Sequence, residues 1–255
     1  MIDIHSHVLP GVDDGALSFT EALEMVRIAG AAGTTDLVAT PHANFEYEYN
    51  PAVVRERLER LQSEAGPQVK LHSGCDFHLA PGNIADALRY PARYTVNGKR
   101  YLLVEFPEVL IAPATAHDFT RLIEAGMTPI ITHPERNFLL HKRVADLEGW
   151  VAQGCLVQVT AQSLLGRFGR QARRFARMLV ARGLAHFVAS DAHDANDRTP
   201  RLDQAYRAVA RRYGAACAER LFVINPRAVL AGDPLPAVLP AAARRRRRWY
   251  LPWAR

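Results

Sequence analysis

The sequence of 255 residues predicts an α/β protein that folds as a closed, TIM-like barrel of seven parallel strands. Short runs rich in β-branched residues alternate with amphipathic helices, and about 20 to 35 residues separate one run from the next, a spacing typical of βα units. No glycine-rich phosphate or dinucleotide loop follows the first run. This absence makes an open, doubly wound sheet the less favoured alternative.

Seven segments are predicted as strands because each is a short, apolar and mostly β-branched run. In chain order they are residues 2–6, 36–40, 69–73, 101–105, 128–132, 156–160 and 186–190. A hairpin is also predicted before the fourth strand, because Asn97 and Gly98 stand between two flanks rich in β-forming residues.

The helices between these strands are predicted from their start and stop signals. The first helix begins after Ser18, which can form a capping box with Glu21. The second begins after Asn50, has Pro51 at its first position and ends at Gly66. Two later amphipathic segments, RQARRFARMLVARG and PRLDQAYRAVARRYG, also close on glycine. No linker divides the body, so we expect one domain over residues 1–240 and a separate tail over 241–255.

The excess positive charge of the chain lies at its end. The formal net charge is +6, and residues 243–255 contain six arginines and no acid, so the body is about neutral and nucleic acid is not an expected partner. Three widely spaced cysteines, Cys75, Cys155 and Cys217, indicate reduced thiols in a cytoplasmic protein. The sequence shows neither a membrane span nor a signal peptide.

Potential metal ligands stand at the carboxyl ends of six of the seven predicted strands. They are His5, His7, His42, Asp76, Glu105, His133, Asp191 and His193. In a parallel barrel these ends converge on one face, where catalytic groups lie. A single histidine would more often be structural, but eight such residues at equivalent places are hard to attribute to chance.

The ligand types indicate more than one divalent ion. His5 and His7 can reach the same ion, because alternate residues of a strand point to the same side. Imidazoles together with carboxylates suit Mn²⁺, Fe²⁺ or Zn²⁺. The number of ligands exceeds the three or four of one catalytic ion, so two or three ions with bridging carboxylates are expected. Clustered ions are typical of phosphate ester hydrolysis.

Five motifs, in their order and spacing, resemble one known family. The segments DIHSHVLPGVDDG, TPH, EFP, HPERN and SDAH are similar to the polymerase and histidinol phosphatase (PHP) superfamily, and more closely to its bacterial capsule and exopolysaccharide tyrosine phosphatases. The similarity covers about residues 1–235. It implies a distorted seven-stranded (β/α)7 barrel with three divalent ions, of which Mn²⁺ is favoured and Fe or Zn are the alternatives.

The resemblance also implies roles for individual residues. The implied ligands are His5, His7, Asp76 and Asp191 for the first ion, Asp76, Glu105 and His133 for the second, and Asp14, His42 and His193 for the third. Arg136 and Arg198 match arginines that hold the phosphate, and with His133 they are the expected catalytic residues. The bridging position is usually glutamate in the family and is Asp76 here, with His78 as a candidate helper. Asp13, next to Asp14, is expected to cap the loop.

The implied activity is hydrolysis of protein phosphotyrosine by a metal-dependent phosphatase, acting on a membrane-associated bacterial tyrosine kinase that regulates capsule or exopolysaccharide synthesis. A cysteine phosphatase is excluded, because no cysteine is followed by arginine six positions later. Three alternatives stay open: a small-molecule phosphomonoesterase such as histidinol phosphatase, an amidohydrolase with Lys70 as its lysine, and an inactive metal-binding regulator.

The tail joins five consecutive arginines, residues 244–248, to Trp249 and Trp253. Arginine and interfacial aromatic residues together suit an anionic membrane surface, which would place a cytoplasmic enzyme peripherally at the inner membrane. A disordered, solubilising tail is the equally weighted alternative.

Overall fold

Parallel strands form the centre of the fold in the computed structural model, which describes residues 1–237. The strands are β1 (Ile2–Ser6), β2 (Asp36–Ala39), β3 (His42–Ala43), β4 (Lys70–Ser73), β5 (Asp76–His78), β6 (Tyr101–Glu105), β7 (Thr128–Ile131), β8 (Leu156–Thr160) and β9 (Phe187–Ala189). One sheet has the order β1-β2-β4 and the other has the order β3-β5-β6-β7-β8-β9. A parallel bridge between Ser6 and Ala192 connects the end of β1 to the residues after β9. The predicted α/β class with parallel strands is therefore confirmed.

The second and third predicted strands are present as β2 and β4, and each is followed by a further short strand, β3 or β5, so residues 1–237 contain nine strand segments instead of the seven expected. Thr40 and Pro41 separate β2 from β3, and the proline has no N–H for a ladder. Gly74 and its neighbour separate β4 from β5, and a Cβ atom at Gly74 would lie 3.0 Å from the Thr40 side chain. Strands β2 and β4 lie in the sheet of β1, where β2 pairs with β1 and β4 pairs with β2. Strands β3 and β5, which begin at His42 and Asp76, join the other sheet.

The hairpin predicted at Asn97 and Gly98 is wrong. Val96–Gly98 is a short 3-10 turn in which Asn97 has a φ of 53°, and β6 pairs in parallel with β5 and β7. The segment before the turn folds as the 3-10 helix Pro91–Arg93 and so supplies no antiparallel partner. The Asn97 amide instead donates to the Leu230 carbonyl at 3.2 Å, which ties the turn to the end of the described chain.

Helices follow the strands along the chain. They are α1 (Phe19–Ala31), α2 (Pro51–Ala65), α3 (Pro81–Arg89), α4 (Thr115–Glu124), α5 (Val144–Gln153), α6 (Ala161–Leu165), α7 (Gly169–Ala181), α8 (Asp203–Tyr213), α9 (Ala215–Glu219) and α10 (Asn225–Ala231), with a π-helical turn at Arg220–Ile224. The predicted caps are confirmed: Ser18 accepts from the Glu21 N–H at 3.2 Å, and Asn50 accepts from the Ala52 N–H at 3.0 Å. None of the described helices has the length and apolar character needed to cross a membrane.

The apolar core has two parts. The larger part packs the helices against the sheets, and a smaller cluster contains Ile2, Ile4, Tyr101, Leu103 and Phe187. Every residue of β1 is buried, so the sheet is covered on both faces there. The polar residues of the candidate site lie beyond this apolar layer, at the carboxyl ends of the strands.

The tail expected over residues 241–255 lies outside the described residues.

Candidate metal centre

All nine predicted ligands come together at the carboxyl ends of the strands and in the loops that follow them. They form four overlapping groups whose potential ligand atoms lie within 4.8 Å of one another. The groups are His7, Asp14, His42 and His193; His5, His7 and Asp76; His5, His133 and Asp191; and His42, Asp76 and Glu105. The same nine residues make up the three ligand sets implied by the resemblance, but the structure divides them into groups differently.

His5 and His7 present equivalent nitrogens to the same point. Their Nε2 atoms lie 3.2 Å apart, and each Nε2 lies 3.4 to 3.5 Å from Oδ1 of Asp191. The Nδ1 atom of His5 contacts Oε1 of Gln158 at 2.9 Å, and that of His7 contacts Oδ2 of Asp13 at 2.7 Å. A neutral ring whose Nδ1–H donates to such an acceptor keeps its lone pair on Nε2, so both rings are oriented as metal ligands.

The two neighbouring aspartates of the first loop face different partners. Asp13 accepts from His7, from the His42 N–H at 3.0 Å and from the Gly15 N–H at 3.0 Å. Asp14 places Oδ1 3.4 Å from Nε2 of His42 and 3.6 Å from Nε2 of His193. Asp14 therefore stands among the potential ligands, and Asp13 orients the ligand histidine and caps the loop.

Asp76 occupies the position that a bridging carboxylate needs. It is completely buried, its Oδ2 atom lies 3.5 Å from Nε2 of His5 and 3.4 Å from Nδ1 of His42, and it belongs to two of the four groups. Although Asp76 is one methylene shorter than glutamate, its strand β5 pairs with β3 in a register that sets Asp76 beside His42. His78, at the end of the same strand, belongs to none of the groups found in residues 1–237.

The charge balance of the cluster fits divalent cations. Burial lowers the pKa of His5, but the carboxylates of Asp76 and Asp191 outweigh burial and raise that pKa to about 9. Burial and the nearby Asp76 raise the pKa of Glu105 to about 7. The Asp76 Oδ2 and His42 Nδ1 atoms are buried and make no hydrogen bond. Crowded carboxylates and orphaned ligand atoms of this kind call for a shared cation.

Two residues of the site have an unusual backbone conformation. His133 has a φ of 31° and Asp191 has a φ of 53°, in the left-handed region that residues with a Cβ atom seldom adopt. Such conformations cost about 1–3 kcal/mol each and persist where the surrounding structure holds them. Here they turn two side chains inward directly after β7 and β9.

Arg136 and Arg198 meet at one carboxylate. Both guanidinium groups donate to Oδ2 of Asp191, Arg198 at 2.7 Å, and Arg198 also donates to the Asp191 carbonyl at 3.2 Å. The Nε atom of Arg198 is buried and makes no hydrogen bond. The guanidinium carbon of Arg136 lies 4.5 Å from the centre of the Phe168 ring, a cation–π contact that fixes its plane.

A cavity of about 340 Å³ opens beside the ligands. Glu105, His133 and Arg136 line it on the side of the metal ligands, and Phe106, Phe138, His141 and Phe168 supply aromatic walls. Phe138 is 58% exposed although it is a large apolar residue. An aromatic cavity next to paired arginines suits a flat ligand that carries an anionic group.

Sequence reasoning missed Gln158 and Phe168. Gln158 lies on β8, the strand whose predicted end carried no ligand, and Phe168 lies just before α7. A strand position does not by itself identify Gln158 as functional, and no local pattern marks Phe168. Phe138, two residues after Arg136, was also missed, and its place beside the HPER motif could have drawn attention to it.

The sequence of residues 1–231 matches the family model described as "Capsular polysaccharide synthesis, CpsB/CapC". The chain belongs to the CpsB/CapC family. Three comparisons place it within that family. CapC of Staphylococcus aureus is 32% identical over 256 residues, with 98% of this chain and 99% of the relative aligned. The tyrosine-protein phosphatase YwqE of Bacillus subtilis is 34% identical over 223 residues, which cover 84% of this chain and 86% of the relative.

A solved structure from a crystallographic study of YwqE and of CpsB from Streptococcus pneumoniae, described as metal-dependent tyrosine phosphatases, has the same fold as this CpsB/CapC chain. The TM-score is 0.85 at 32% identity, with 92% of this chain and 96% of the solved chain covered. The motifs that resemble the PHP tyrosine phosphatases therefore belong to a chain that shares both sequence and fold with that family.

Gly15 should be essential to the ligand loop. A Cβ atom at Gly15 would lie 2.0 Å from the His7 carbonyl oxygen, so Gly15→Ala must displace the loop that carries Asp13. We expect about a 10- to 100-fold loss of metal affinity, the usual effect of disturbing a group that orients a ligand. Titration of Mn²⁺ by calorimetry measures it. Gly149→Ala is the matched control, because a Cβ atom there meets nothing within 4 Å. Equal affinities of the two variants would show that the loop position is unimportant.

Asp76→Ala should lower the bound metal content, since two ligand groups share this carboxylate. Asp76→Glu should keep it, because the glutamate carboxylate can reach the same pair of groups. Elemental analysis of the purified proteins measures the content, with circular dichroism to check the fold. Asp146→Ala, which changes a carboxylate on α5 outside the cluster, is the control. Full metal content in folded Asp76→Ala would contradict the bridging position.

Proposed function

We propose that this chain is a metal-dependent protein-tyrosine phosphatase. The observation that carries the proposal is the meeting of the nine ligand residues with Arg136 and Arg198 beside an aromatic-lined cavity. Family membership supports it, because the relative YwqE is named a tyrosine-protein phosphatase.

The ligand residues would hold three divalent ions, with Mn²⁺ favoured over Fe and Zn. The proposed ligands are His5, His7, Asp14, His42, Asp76, Glu105, His133, Asp191 and His193. When bound, such ions act as Lewis acids toward phosphoryl oxygens and supply a nucleophile at neutral pH. His133 is suited to ligation because burial, together with the Arg136 charge, lowers its pKa to about 3 and keeps the ring neutral.

Arg136 and Arg198 are proposed to hold the phosphoryl group. Arginine donates to phosphate through a planar fork, and Arg136 lines the aromatic cavity, where its guanidinium can meet a phosphoryl oxygen. Both arginines share Asp191, so they already lie together at the wall where the ligand groups meet. This arrangement orients the anion without an additional loop movement.

The cavity favours an aromatic phosphate ester on a polypeptide. The rings of Phe138 and Phe168 can pack on a tyrosyl ring, and the phenolate leaving group, with a pKa of about 10, departs without strong acid assistance. The exposed face of Phe138 leaves room for the chain that carries the phosphotyrosine. An amidohydrolase is disfavoured, because Lys70 is exposed at the beginning of β4, at the opposite end from the ligands.

The same proposal extends to the number of strands, the bounds of the domain and the cellular location of the enzyme. Counting the interrupted pairs β2/β3 and β4/β5 as one strand each gives a distorted seven-stranded barrel, within one catalytic domain over residues 1–240. We propose a cytoplasmic enzyme that acts on a membrane-associated bacterial tyrosine kinase of capsule or exopolysaccharide synthesis, in agreement with the family description.

Removal of divalent ions with a strong chelator should reduce hydrolysis of a phosphotyrosine peptide to background, and Mn²⁺ should restore it. Release of inorganic phosphate measures the rate, with metal content determined in parallel. Histidinol phosphate and a simple amide serve as competing substrates, and we expect the peptide to be turned over fastest. Full activity at a metal content near zero, or faster turnover of either competing substrate, would refute the proposed function.

The tail should contribute membrane affinity without changing the chemistry. Each arginine near an anionic membrane contributes about 1 kcal/mol, and every proposed ligand precedes the tail. Deletion of residues 244–255 should therefore weaken salt-sensitive sedimentation with anionic vesicles and leave peptide hydrolysis unchanged. A second form with glutamine at residues 244–248 separates the charge from the tryptophans. Equal sedimentation of the complete and the shortened chains would leave the tail as a solubilising segment.

A further inference from the structure

Five arginines line a groove on the outer side of the molecule, between α7 and α8. They are Arg170, Arg173, Arg174, Arg177 and Arg212. The groove has a volume of about 420 Å³, and Met178, Ala181 and Tyr213 complete its lining. The Tyr213 hydroxyl donates to the Arg177 carbonyl at 3.1 Å and thereby joins the two helices along the groove. We refer to this feature as the arginine groove.

The positive charge of the arginine groove is uncompensated. The sequence contains no acidic residue between Glu148 and Asp191, and within residues 1–237 none of the five arginines has a carboxylate oxygen within 4.0 Å. Nearby arginines outside the groove are paired, Arg182 with Glu148 at 2.8 Å and Arg207 with Asp203 at 2.7 Å. Burial, with the charges of neighbouring arginines, lowers the pKa of Arg177. The groove therefore concentrates cationic groups that lack internal partners.

Helix α7 lines both the arginine groove and the aromatic cavity, through residues on two different faces. Helix α7 starts at Gly169, directly after Phe168, whose ring contacts Arg136. From Arg170 to Ala181 the helix extends about 16 Å, at 1.5 Å per residue. A peptide several residues long can therefore contact both features, since only the width of one helix, about 10 Å, lies between them.

We propose that the arginine groove binds an acidic segment of the phosphoprotein substrate, adjacent in sequence to the phosphotyrosine. The inference rests on the proposed function. Arginine forks bind carboxylates bidentately, and an extended segment of about five residues, at roughly 3.4 Å each, spans the groove.

A single polypeptide fits this feature better than other anions. The apolar side chains of Met178 and Tyr213 along the groove can contact peptide side chains, whereas a membrane is flat and does not enter a groove between two helices. Nucleic acid would meet a net negative charge beyond the groove, because the nearly neutral sum of the body before the tail already includes the five groove arginines. The C-terminal tail of the chain is itself basic and is excluded as the occupant by its charge.

The test compares phosphotyrosine peptides that carry glutamates on one side with peptides that carry glutamines there. The groove variant is Arg174→Glu/Arg212→Glu, and the matched control is Arg55→Glu/Arg89→Glu, which reverses two arginines on α2 and α3. Wild type and control should show a KM about 5- to 10-fold lower for the acidic peptide at low salt, as expected for a few exposed ion pairs. The groove variant should lose this preference while its rate on free phosphotyrosine stays unchanged. All forms retain the tail, so its charge does not affect the comparison.

Fluorescence anisotropy of an unphosphorylated acidic peptide separates this inference from the proposed function. Salt-sensitive binding to wild type and control, weakened about 5- to 10-fold in the groove variant, supports the arginine groove even in a chain without phosphatase activity. An inactive chain would refute the proposed function alone. Equal KM values for the two peptides in wild type would overturn the inference. So would loss of the preference in the control, or groove-dependent binding of an oligonucleotide or of anionic vesicles in place of the peptide.

Discussion

Two buried carboxylates dominate the architecture of the site. Asp76 is fully shielded from solvent and Asp191 is 2% exposed, and an isolated ionised carboxylate in such a position is strongly unfavourable. His5 of β1, His7 directly after it, the arginines that follow β7 and β9, and the proposed ions all balance that charge. The neighbouring positive charges of Arg136, His5 and Arg198 outweigh burial and hold the pKa of Asp191 well below its usual range. Residues on or directly after six different strands thus meet around these two carboxylates.

Departures from regular strand geometry are concentrated near the two buried carboxylates, Asp76 and Asp191. The pairing of β1 with β2 shifts register between Asp3 and Ser6, so that Ile4 packs in the apolar cluster while the next residue, His5, contacts Gln158. Irregularities of this kind redirect side chains that strict alternation would send to the other face. The interruptions of the second and third predicted strands and the positive φ angles at His133 and Asp191 lie at the same end of the sheet. The regular portions of the strands carry the apolar side chains of the core, and the irregular ends carry the side chains of the candidate metal centre.

Eight of the nine candidate ligands could be predicted from the sequence because each lies at the end of a recognisable strand, and the ends of parallel strands converge. The choice between Asp13 and Asp14 could not be made from composition, since adjacent residues of a loop point in directions that only the folded loop defines. The short strands β3 and β5 were not predicted for a related reason. Gly74 packs against Thr40, and this contact joins segments more than thirty residues apart. The proposed role of Phe168 depends on the contact of its ring with the Arg136 guanidinium, which is distant from it in sequence. Local sequence patterns identify helices and strands, and contacts between residues distant in sequence determine where those helices and strands are interrupted.

The contact between the end of β1 and the residues after β9 has a consequence for folding. The Asp191 N–H donates to the His5 carbonyl at 2.9 Å, and the His7 N–H donates to the Ala192 carbonyl at 2.8 Å, across more than 180 residues of chain. Contacts of such high sequence separation form late and slowly, because loop closure opposes them. A nascent chain therefore carries its first two histidines long before it has the aspartate they meet. The group of His5, His133 and Asp191 therefore cannot assemble until synthesis has passed residue 191, so an ion that needs all three side chains can be captured only by a chain in which β1 has met the segment after β9.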